Sequence, residues 1–186
     1  MSISTAKMTA RQFLQLGEDP PGIRLELVDG EIAVSPSLNF DHSHVDKALS
    51  FFLVGHIRKN DLGELVGDVD TFFGEFDVRR PDIIFIAKQR LDIVKNIIEG
   101  PPDLCVEILS PSSSRIDRKD KFKQYQDGGV AFYWIVDPEA RTIEAFELKN
   151  RKYRPAGSAH GNQTVRLPPF PDLDIPLADL WFTRKR

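Results

Sequence analysis

Residues 104–109 read Leu-Cys-Val-Glu-Ile-Leu, an apolar run interrupted by one carboxylate. Such a run predicts a buried strand, whose alternate side chains point to opposite faces, so Glu107 shares a face with Cys105 and Leu109. Acidic residues are depleted in strands and are seldom buried without a partner, because an isolated buried carboxylate is costly or must take up a proton. A bound metal ion, a buried salt bridge to an arginine, or a half-open sheet edge would each account for Glu107.

A second carboxylate stands at the start of an earlier apolar run. Asp82 directly precedes the run 83–86 and follows Arg79 and Arg80. Asp82 is therefore expected at the end of a strand, and binding sites of α/β sheets tend to lie at strand ends. The interval to Glu107 accommodates one strand, a loop and the neighbouring strand, so the two carboxylates can meet. An ion pair of Asp82 with either arginine is the alternative.

Hydrophobic periodicity predicts the other elements. Alternating apolar residues on both sides of Asp29-Gly30 predict an N-terminal β-hairpin. Apolar residues at three- and four-residue spacing predict an amphipathic helix over 42–59. Two further helices are predicted over 5–16 and 115–126, the second capped by Ser113 or Ser114. Strands are predicted over 65–73, 76–79, 82–87 and 130–136, with a hairpin of 142–148 and 152–154 and an edge strand over 164–167. The tail over 168–180 is predicted to wrap the surface.

The predicted helix over 115–126 carries a polar stripe. Asp117, Lys121 and Tyr125 are spaced four residues apart, so they lie on one face. That face either turns toward the two carboxylates or is solvated, with Asp117 and Lys121 forming an ordinary surface ion pair.

Several motifs follow one another in an order that resembles a known family. They are Arg80-Pro81-Asp82, Pro101-Pro102-Asp103, Val106-Glu107-Ile108-Leu109-Ser110-Pro111-Ser112, the stripe Asp117, Lys121 and Tyr125, then Gly129-Val130 and Tyr133-Trp134-Ile135-Val136-Asp137-Pro138. Over nearly its whole length the chain resembles the bacterial Uma-type restriction endonuclease domain family, abundant in cyanobacteria, of the PD-(D/E)XK nuclease superfamily. The resemblance implies an α+β (mixed α/β) fold: a restriction endonuclease-like core with a four-stranded mixed sheet flanked by helices, plus the N-terminal hairpin and C-terminal strands.

The same resemblance implies a catalytic metal site. In that superfamily two acids, here Asp82 and Glu107, bind Mg²⁺, and a lysine two residues beyond the second acid assists. Position 109 is Leu in this chain, and the resemblance implies that Lys121, reaching in from the following helix, replaces that lysine. Such a change is physically allowed, because an ammonium near the scissile phosphate can be delivered from any element. Hard oxygen ligands, including the Ile108 carbonyl, suit Mg²⁺ or Mn²⁺.

Further candidates surround this site. Glu26 or Glu31 in the first hairpin could complete the metal ligands, and His44 in the long helix could contact nucleic acid; surface placement is the alternative for each. The basic residues Arg115, Arg118 and Lys119 are predicted to contact the phosphate backbone. The expected function is a metal-dependent endonuclease acting on DNA, as a homodimer because a duplex needs two cuts. A noncatalytic nucleic-acid-binding or interaction domain with the same fold is the alternative.

Length and composition limit the number of domains, the possible partners and the location of the protein. The 186 residues predict one domain over 1–186, and a net charge of −3 means that any polyanion binding must be local. The apolar runs are much shorter than the roughly 20 residues that span a bilayer, and the first residues lack a signal peptide's apolar stretch. We therefore expect no membrane partner and a cytoplasmic location. Cys105 is the only cysteine, which excludes an intrachain disulfide and a cysteine-based zinc site.

Overall fold

Three β-sheets and three α-helices form a mixed α/β fold in the described part of the chain. The computed structural model describes residues 7–35, 38–110 and 116–183, without the side chains of Ser35, Ile116 and Asp117. The helices are α1 (Ala10–Leu14), α2 (Phe40–Asn60) and α3 (Phe122–Gly128). The strands are β1 (Arg24–Val28), β2 (Glu31–Ser35), β3 (Gly63–Val66), β4 (Thr71–Gly74), β5 (Asp77–Arg79), β6 (Ile83–Ala87), β7 (Ile98–Glu99), β8 (Leu104–Ile108), β9 (Phe132–Asp137), β10 (Thr142–Lys149), β11 (Lys152–His160), β12 (Thr164–Leu167) and β13 (Phe170–Pro176).

The largest sheet has six strands in the order β11-β10-β9-β8-β6-β3. Its neighbours are antiparallel except for the parallel pair β8 and β9, so the sheet is mixed, as predicted, with six strands instead of four. The central strand β8 is buried along its whole length because helices cover both faces of the sheet. Val106 and Ile108 belong to the core beneath α2, whereas Cys105 and Leu109 pack with Tyr125 of α3. The predicted alternation around Glu107 is confirmed.

The long helix α2 covers one face of this sheet. Its N-cap is Asn39, whose side chain accepts a hydrogen bond from the backbone N–H of His42. The buried stripe of α2 has helical spacing, which brings its members onto one face; they are Val45, Leu49, Leu53 and Ile57. The predicted helix over 42–59 is thus confirmed, with slightly wider bounds.

The N-terminal hairpin belongs to a second sheet, in the order β2-β1-β5-β4-β7. Its turn residues Asp29 and Gly30 both have positive φ, 50° and 80°, as a two-residue hairpin turn requires. Leu27 of β1 lies opposite Val78 of β5, which joins the hairpin to the strand that leads into Arg79 and Asp82. The hairpin prediction is confirmed.

Two predicted elements differ from the structure, and one observed strand was not predicted. The run 65–73 is not one strand: β3 and β4 lie in different sheets, because the chain turns at Gly67 and at Asp68, whose φ is 59°. The first helix covers only Ala10–Leu14, since Thr9 forms a capping box with Gln12, and residues 5 and 6 lie outside the described part. Two-residue strand β7 has no counterpart among the predictions.

The C-terminal segment is more regular than the sequence predicted. Its prolines favour an irregular tail, yet β13 pairs with β12 in a separate two-stranded sheet. In such a sheet each strand has an unpaired edge, so a proline without an N–H is tolerated. Leu177, Leu180 and Trp181 are buried and anchor this segment. No helix in the described residues is long and apolar enough to cross a membrane.

The helix predicted over 115–126 has two parts. Residues Ile116–Lys121 form a π-helix that continues directly into α3. π-helical turns are rare and occur frequently at functional sites. The proposed caps Ser113 and Ser114, and the first residue Arg115, lie outside the described residues.

Candidate functional site

Asp82 directly precedes β6, and Glu107 belongs to the neighbouring strand β8. Both residues lie at the same end of these two strands of the large sheet. In the antiparallel pair of β6 and β8, Ile83 is opposite Val106, so the next position brings Asp82 beside Glu107. Gly67 approaches this point so closely that a Cβ atom there would lie 2.2 Å from the Asp82 carbonyl oxygen. The adjacent strand therefore fits around the Asp82 backbone only because residue 67 has no side chain.

Two donors hold one oxygen of the Asp82 carboxylate. The backbone N–H of Ile108 donates to Oδ2 at 2.8 Å, and His42 Nε2 lies 3.0 Å from the same atom. Because a carboxylate only accepts, the imidazole carries its proton on Nε2 in this contact. The Asp82 side chain is 11% exposed, and its Oδ1 accepts no hydrogen bond from the described residues. Two donors thus hold Oδ2, whereas none of the described residues donates to Oδ1.

Both oxygens of Glu107 are bonded to residues of the following helix. Lys121 Nζ donates to Oε2 at 2.6 Å, and the Tyr125 hydroxyl donates to Oε1 at 2.5 Å. The Glu107 side chain is only 2% exposed, and a salt bridge to Lys121 compensates its charge. Lys121 and Tyr125, two of the three residues of the predicted stripe, thus face the carboxylate. The side chain of the third, Asp117, lies outside the described part of the chain.

A second buried ion pair adjoins this cluster. Arg79 Nη1 donates to Glu26 Oε2 and the backbone N–H of Arg80 donates to Glu26 Oε1, both at 2.9 Å. Arg79 Nε also donates to Gln124 of α3 at 2.6 Å. Arg79 and Arg80 therefore pair elsewhere than with Asp82, because Arg80 contacts Asp19 and Asp70. The first hairpin is thereby tied to the helix that carries Lys121.

The charges in this cluster shift several pKa values. Burial tends to raise the pKa of Glu26, but the positive charges of Lys121 and Arg79 and two hydrogen bonds outweigh it, so the pKa is lowered. Burial, reinforced by the negative charge of Glu107, raises the pKa of Tyr125 well above its usual value. The same two causes raise the pKa of Cys105. Tyr125 and Cys105 thus stay protonated, and the Tyr125 hydroxyl can donate to Glu107.

The donor set is compatible with a hard divalent cation. It comprises the carboxylates of Asp82 and Glu107 and the carbonyl of Ile108, all oxygens, and no described residue donates a hydrogen bond to Asp82 Oδ1. A cation there would compete with Lys121 and Tyr125 for Glu107. The described residues contain no group of three or more His, Cys, Asp or Glu side chains arranged as a ready metal site. Any ion must therefore take part of its coordination from water, backbone or substrate.

The other predicted residues are not all brought to this site. Glu26 is paired with Arg79, and the positive charge of Lys121 helps to lower the pKa of Glu26. Glu31, by contrast, is exposed beside the hairpin turn. Arg118 forms ion pairs with Asp137 and Glu144, and Lys119 is exposed. The ring of His44 packs against other aromatic rings, and Arg115 lies outside the described residues.

His42 is the site residue that sequence reasoning missed. A signal for it does exist, since His42 precedes Val45 by three residues and therefore continues the buried stripe of α2. A histidine on an apolar stripe needs a polar partner inside the protein, and that partner is Asp82. His44, which the sequence analysis singled out, lies off this stripe.

The fold and this arrangement define a protein of nuclease-like architecture. A solved structure of the same fold is that of a putative nuclease of the DUF820 group from Anabaena variabilis ATCC 29413, with a TM-score of 0.79 and 22% identity over 94% of this chain and 97% of that chain. The model of the Uma2 family, described as putative restriction endonuclease, matches residues 10–178, so the chain belongs to this family. No functionally curated protein matches the chain significantly.

Proposed function

We propose that the chain is a metal-dependent endonuclease that hydrolyses phosphodiester bonds in DNA, with Mg²⁺ or Mn²⁺ as its cofactor. The observation that carries the proposal is the convergence of Asp82, Glu107 and Lys121, delivered by two neighbouring strands and the following helix. Two acids and an ammonium at one sheet edge match the needs of phosphodiester hydrolysis: ligands for a cation and a positive charge for the phosphate. Membership in a family described as putative restriction endonucleases supports the same reading.

The roles of the residues follow from their contacts. Asp82, Glu107 and the Ile108 carbonyl would hold the cation, which when bound supplies positive charge at the phosphate and lowers the pKa of water. His42 and the Ile108 N–H hold Asp82 Oδ2 in place, so binding of a cation by Oδ1 would cost little side-chain freedom. Lys121 would donate a hydrogen bond to the phosphate or to the attacking water. As the water oxygen bonds to phosphorus, the water gives up a proton to the solvent, and the bond to the leaving oxygen breaks while that oxygen takes up a proton from the solvent.

A plasmid-cleavage assay tests this function. Purified protein should nick or linearise DNA with Mg²⁺ or Mn²⁺ and lose this activity in EDTA. Asp82→Asn and Glu107→Gln should each abolish cutting, because each removes a carboxylate charge from the site. Glu64→Gln, a change at an exposed glutamate on β3, is the matched control and should cut normally. Equal cutting by all four proteins would reveal a contaminant and refute the proposal.

A noncatalytic nucleic-acid-binding domain is the second candidate. It is favoured by Glu107, whose two oxygens are both hydrogen-bonded to protein groups, and by Leu109 at the position of the superfamily lysine. This candidate predicts DNA binding without divalent ions and without cleavage. The same assay, run with a gel-shift measurement, separates the two functions.

The proposal includes a homodimer and a phosphate contact by basic residues. Two sites are needed to cut both strands of a duplex, and a symmetric dimer is the commonest way to supply them. Lys119 is exposed two residues before Lys121, whereas Arg118 would have to leave Asp137 and Glu144 to reach a phosphate. Sedimentation equilibrium tests the dimer.

A further inference from the structure

A cavity of about 300 Å³ lies between α2 and the turn that joins β3 to β4. Asp82 and His42 form part of its wall, so the cavity adjoins the candidate site directly. Gly67 and Asp68 of the turn line it as well, and Arg24 of β1 lines it from the second sheet. We call it the α2 cavity. A ligand bound there would lie beside the carboxylate of the candidate metal site.

Two buried nitrogen atoms of residues in this wall have no hydrogen-bond partner. They are Nε of Arg24 and Nδ1 of His42, and no described residue bonds to either atom. His42 is almost completely buried, so bulk water does not take the place of a partner. Such atoms are rare in folded proteins, because burial removes their water and leaves nothing in exchange. Two of them at one cavity indicate a ligand that supplies the missing hydrogen bonds.

The two nitrogens and the charges of the wall define the chemistry of that ligand. Arg24 Nε–H can only donate, and Nδ1 of a neutral imidazole accepts when Nε2 donates to Asp82. A matching ligand therefore presents one acceptor and one donor. Three carboxylates and two cations line the cavity; they belong to Asp46, Asp68 and Asp82 and to Arg24 and Lys47. The carboxylates disfavour a free anion and Arg24 disfavours a free cation, so the ligand is neutral and polar.

The wall also has an apolar part, formed by Val54 of α2 and by Leu65 and Val66 of β3. A flat ring with a polar edge suits this mixed wall, because its faces pack on apolar side chains while its edge meets the two nitrogens. A nucleobase is such a ring, and each base carries an acceptor beside a donor on its Watson–Crick edge. A single water, with a volume of about 30 Å³, would leave most of the cavity empty.

We propose that the α2 cavity takes up one nucleobase of a DNA strand whose neighbouring phosphate lies at Asp82 and Glu107; this rests on the proposed function. In a duplex that base would first have to leave the stack, as it does in enzymes that extrude a nucleotide into a pocket. The preferred substrate then has an unpaired or easily unstacked base beside the cut. Arg24 binds that base without taking part in the metal site.

Long-range proton–nitrogen NMR of the histidine rings tests the cavity without cleavage. The protein is titrated in EDTA at about pH 8, above the usual pKa of histidine, with each deoxynucleoside, deoxyribose or inorganic phosphate. At least one deoxynucleoside should shift the Nδ1 resonance of His42 with about millimolar affinity, as expected for so small a ligand. A trinucleotide of the same base should bind more tightly. Deoxyribose and phosphate should leave His42 unchanged, and the rings of His44, His56 and His160 should not respond.

Two variants locate the bound base. Arg24→Lys keeps the positive charge but removes Nε–H, so nucleoside affinity should fall about 5-fold. Arg58→Lys, the same change at an exposed arginine of α2, is the control. Ser43→Trp should place an indole in the cavity and abolish the His42 shift, because Ser43 lines the cavity. Ser158→Trp, at an exposed position of β11, should leave the shift unchanged.

The outcomes separate this inference from the proposed function. A His42 shift with phosphate alone would make the cavity an anion site, and no shift with any deoxynucleoside would leave it filled by water only; either result overturns the inference. Equal losses for Arg24→Lys and Arg58→Lys, or a deoxynucleoside that binds as tightly as the trinucleotide, would overturn it as well. Base-dependent shifts support it, including in a protein that proves unable to cleave. Cleavage that persists without such shifts leaves the proposed function intact.

Discussion

At the residue scale, the buried carboxylate of Glu107 depends on its two donors. An ionised group with 2% exposure is stable only if its charge is compensated, and Lys121 supplies the positive charge at 2.6 Å. Replacement of one member of such a pair leaves the other charge buried without its partner. The pair should therefore behave as a unit in mutagenesis.

The Lys121 and Glu107 pair can be tested by a double-mutant cycle. Lys121→Met should lower the free energy of unfolding by about 3 kcal/mol, because Glu107 loses its counter-charge. Glu107→Gln added to that variant should restore part of the loss, since the uncompensated charge is gone. Urea unfolding at neutral pH measures all four proteins. Strictly additive effects would contradict direct coupling of the two side chains.

His42 should act on metal binding through Asp82. His42→Ala frees Asp82 Oδ2 from one of its two donors, so we expect Mn²⁺ affinity to fall about 10- to 100-fold, the usual effect of losing a group that orients a ligand. His44→Ala is the matched control, because His44 lies two residues away and contacts aromatic rings. Calorimetric titration measures both variants. Similar affinities for His42→Ala and wild type would exclude this positioning role.

At the scale of elements, the site depends on how strand β3 approaches β6. A methyl group on residue 67 would collide with the Asp82 carbonyl oxygen, so the Asp82 backbone would have to move. Gly67→Ala should therefore cost about 1–3 kcal/mol of stability and also weaken Mn²⁺ binding.

Gly63→Ala is the control for this prediction. A Cβ at residue 63 would lie 2.0 Å from the Ile86 carbonyl oxygen, at the opposite end of the same pair of strands. That variant should lose stability and keep its Mn²⁺ affinity. Thermal unfolding and calorimetry measure the two effects, and unchanged metal affinity in Gly67→Ala would show that the Asp82 position tolerates the shift.

The junction between hairpin and helix should be sensitive to acid. The pKa of Glu26 is lowered from 4.5 in the folded chain, so below pH 4.5 the unfolded chain binds the proton more readily and stability falls as the pH decreases. Glu26→Gln binds no proton there, and its unfolding free energy should fall less between pH 7 and about pH 3.5.

Urea unfolding across that pH range measures the difference. Glu26→Gln should also be less stable than wild type at pH 7, because Arg79 keeps its buried charge without a carboxylate partner. Glu31→Gln, a change at an exposed position of the same hairpin, should follow the wild-type curve. Parallel curves for Glu26→Gln and wild type would contradict the assigned role of Glu26.

The sequence predicted the elements whose signals are local. The turn at Asp29-Gly30 and the apolar stripe of α2 depend on few neighbouring residues, and both are confirmed. The break between β3 and β4 was missed, because apolar residues continue on both sides of the turn at Gly67 and Asp68. The proline-rich strand β13 was missed because each strand of a two-stranded sheet has an unpaired edge, where a proline without an N–H is tolerated.

The site could be predicted only in part for the same reason. Glu107 is conspicuous within its own strand. The prediction of its contact with Lys121 depended on the order of the motifs as well as on helical spacing. The contact of His42 with Asp82 joins residues forty positions apart, and no local pattern reports such a distance. Burial on the α2 stripe was the one available signal.

At the scale of the whole molecule, the sheets and helices bring residues from distant parts of the sequence to one edge. Strands β6 and β8 supply the acids, the segment before α3 supplies Lys121, and α2 supplies His42. The second sheet contributes Glu26 through Arg79, which ties the hairpin to α3. We infer that Asp82 and Glu107 bind one divalent cation beside the ammonium group of Lys121.

Calorimetric titration of the whole protein with Mn²⁺ tests that claim most directly. Wild type should show saturable binding, and Asp82→Asn and Glu107→Gln should each lose it, while Glu64→Gln should bind as wild type does. Because metal binds the folded state, Mn²⁺ should also raise the unfolding temperature of wild type and not of the two site variants. Absence of saturable binding by wild type, or equal binding by all four proteins, would contradict a metal centre at Asp82 and Glu107.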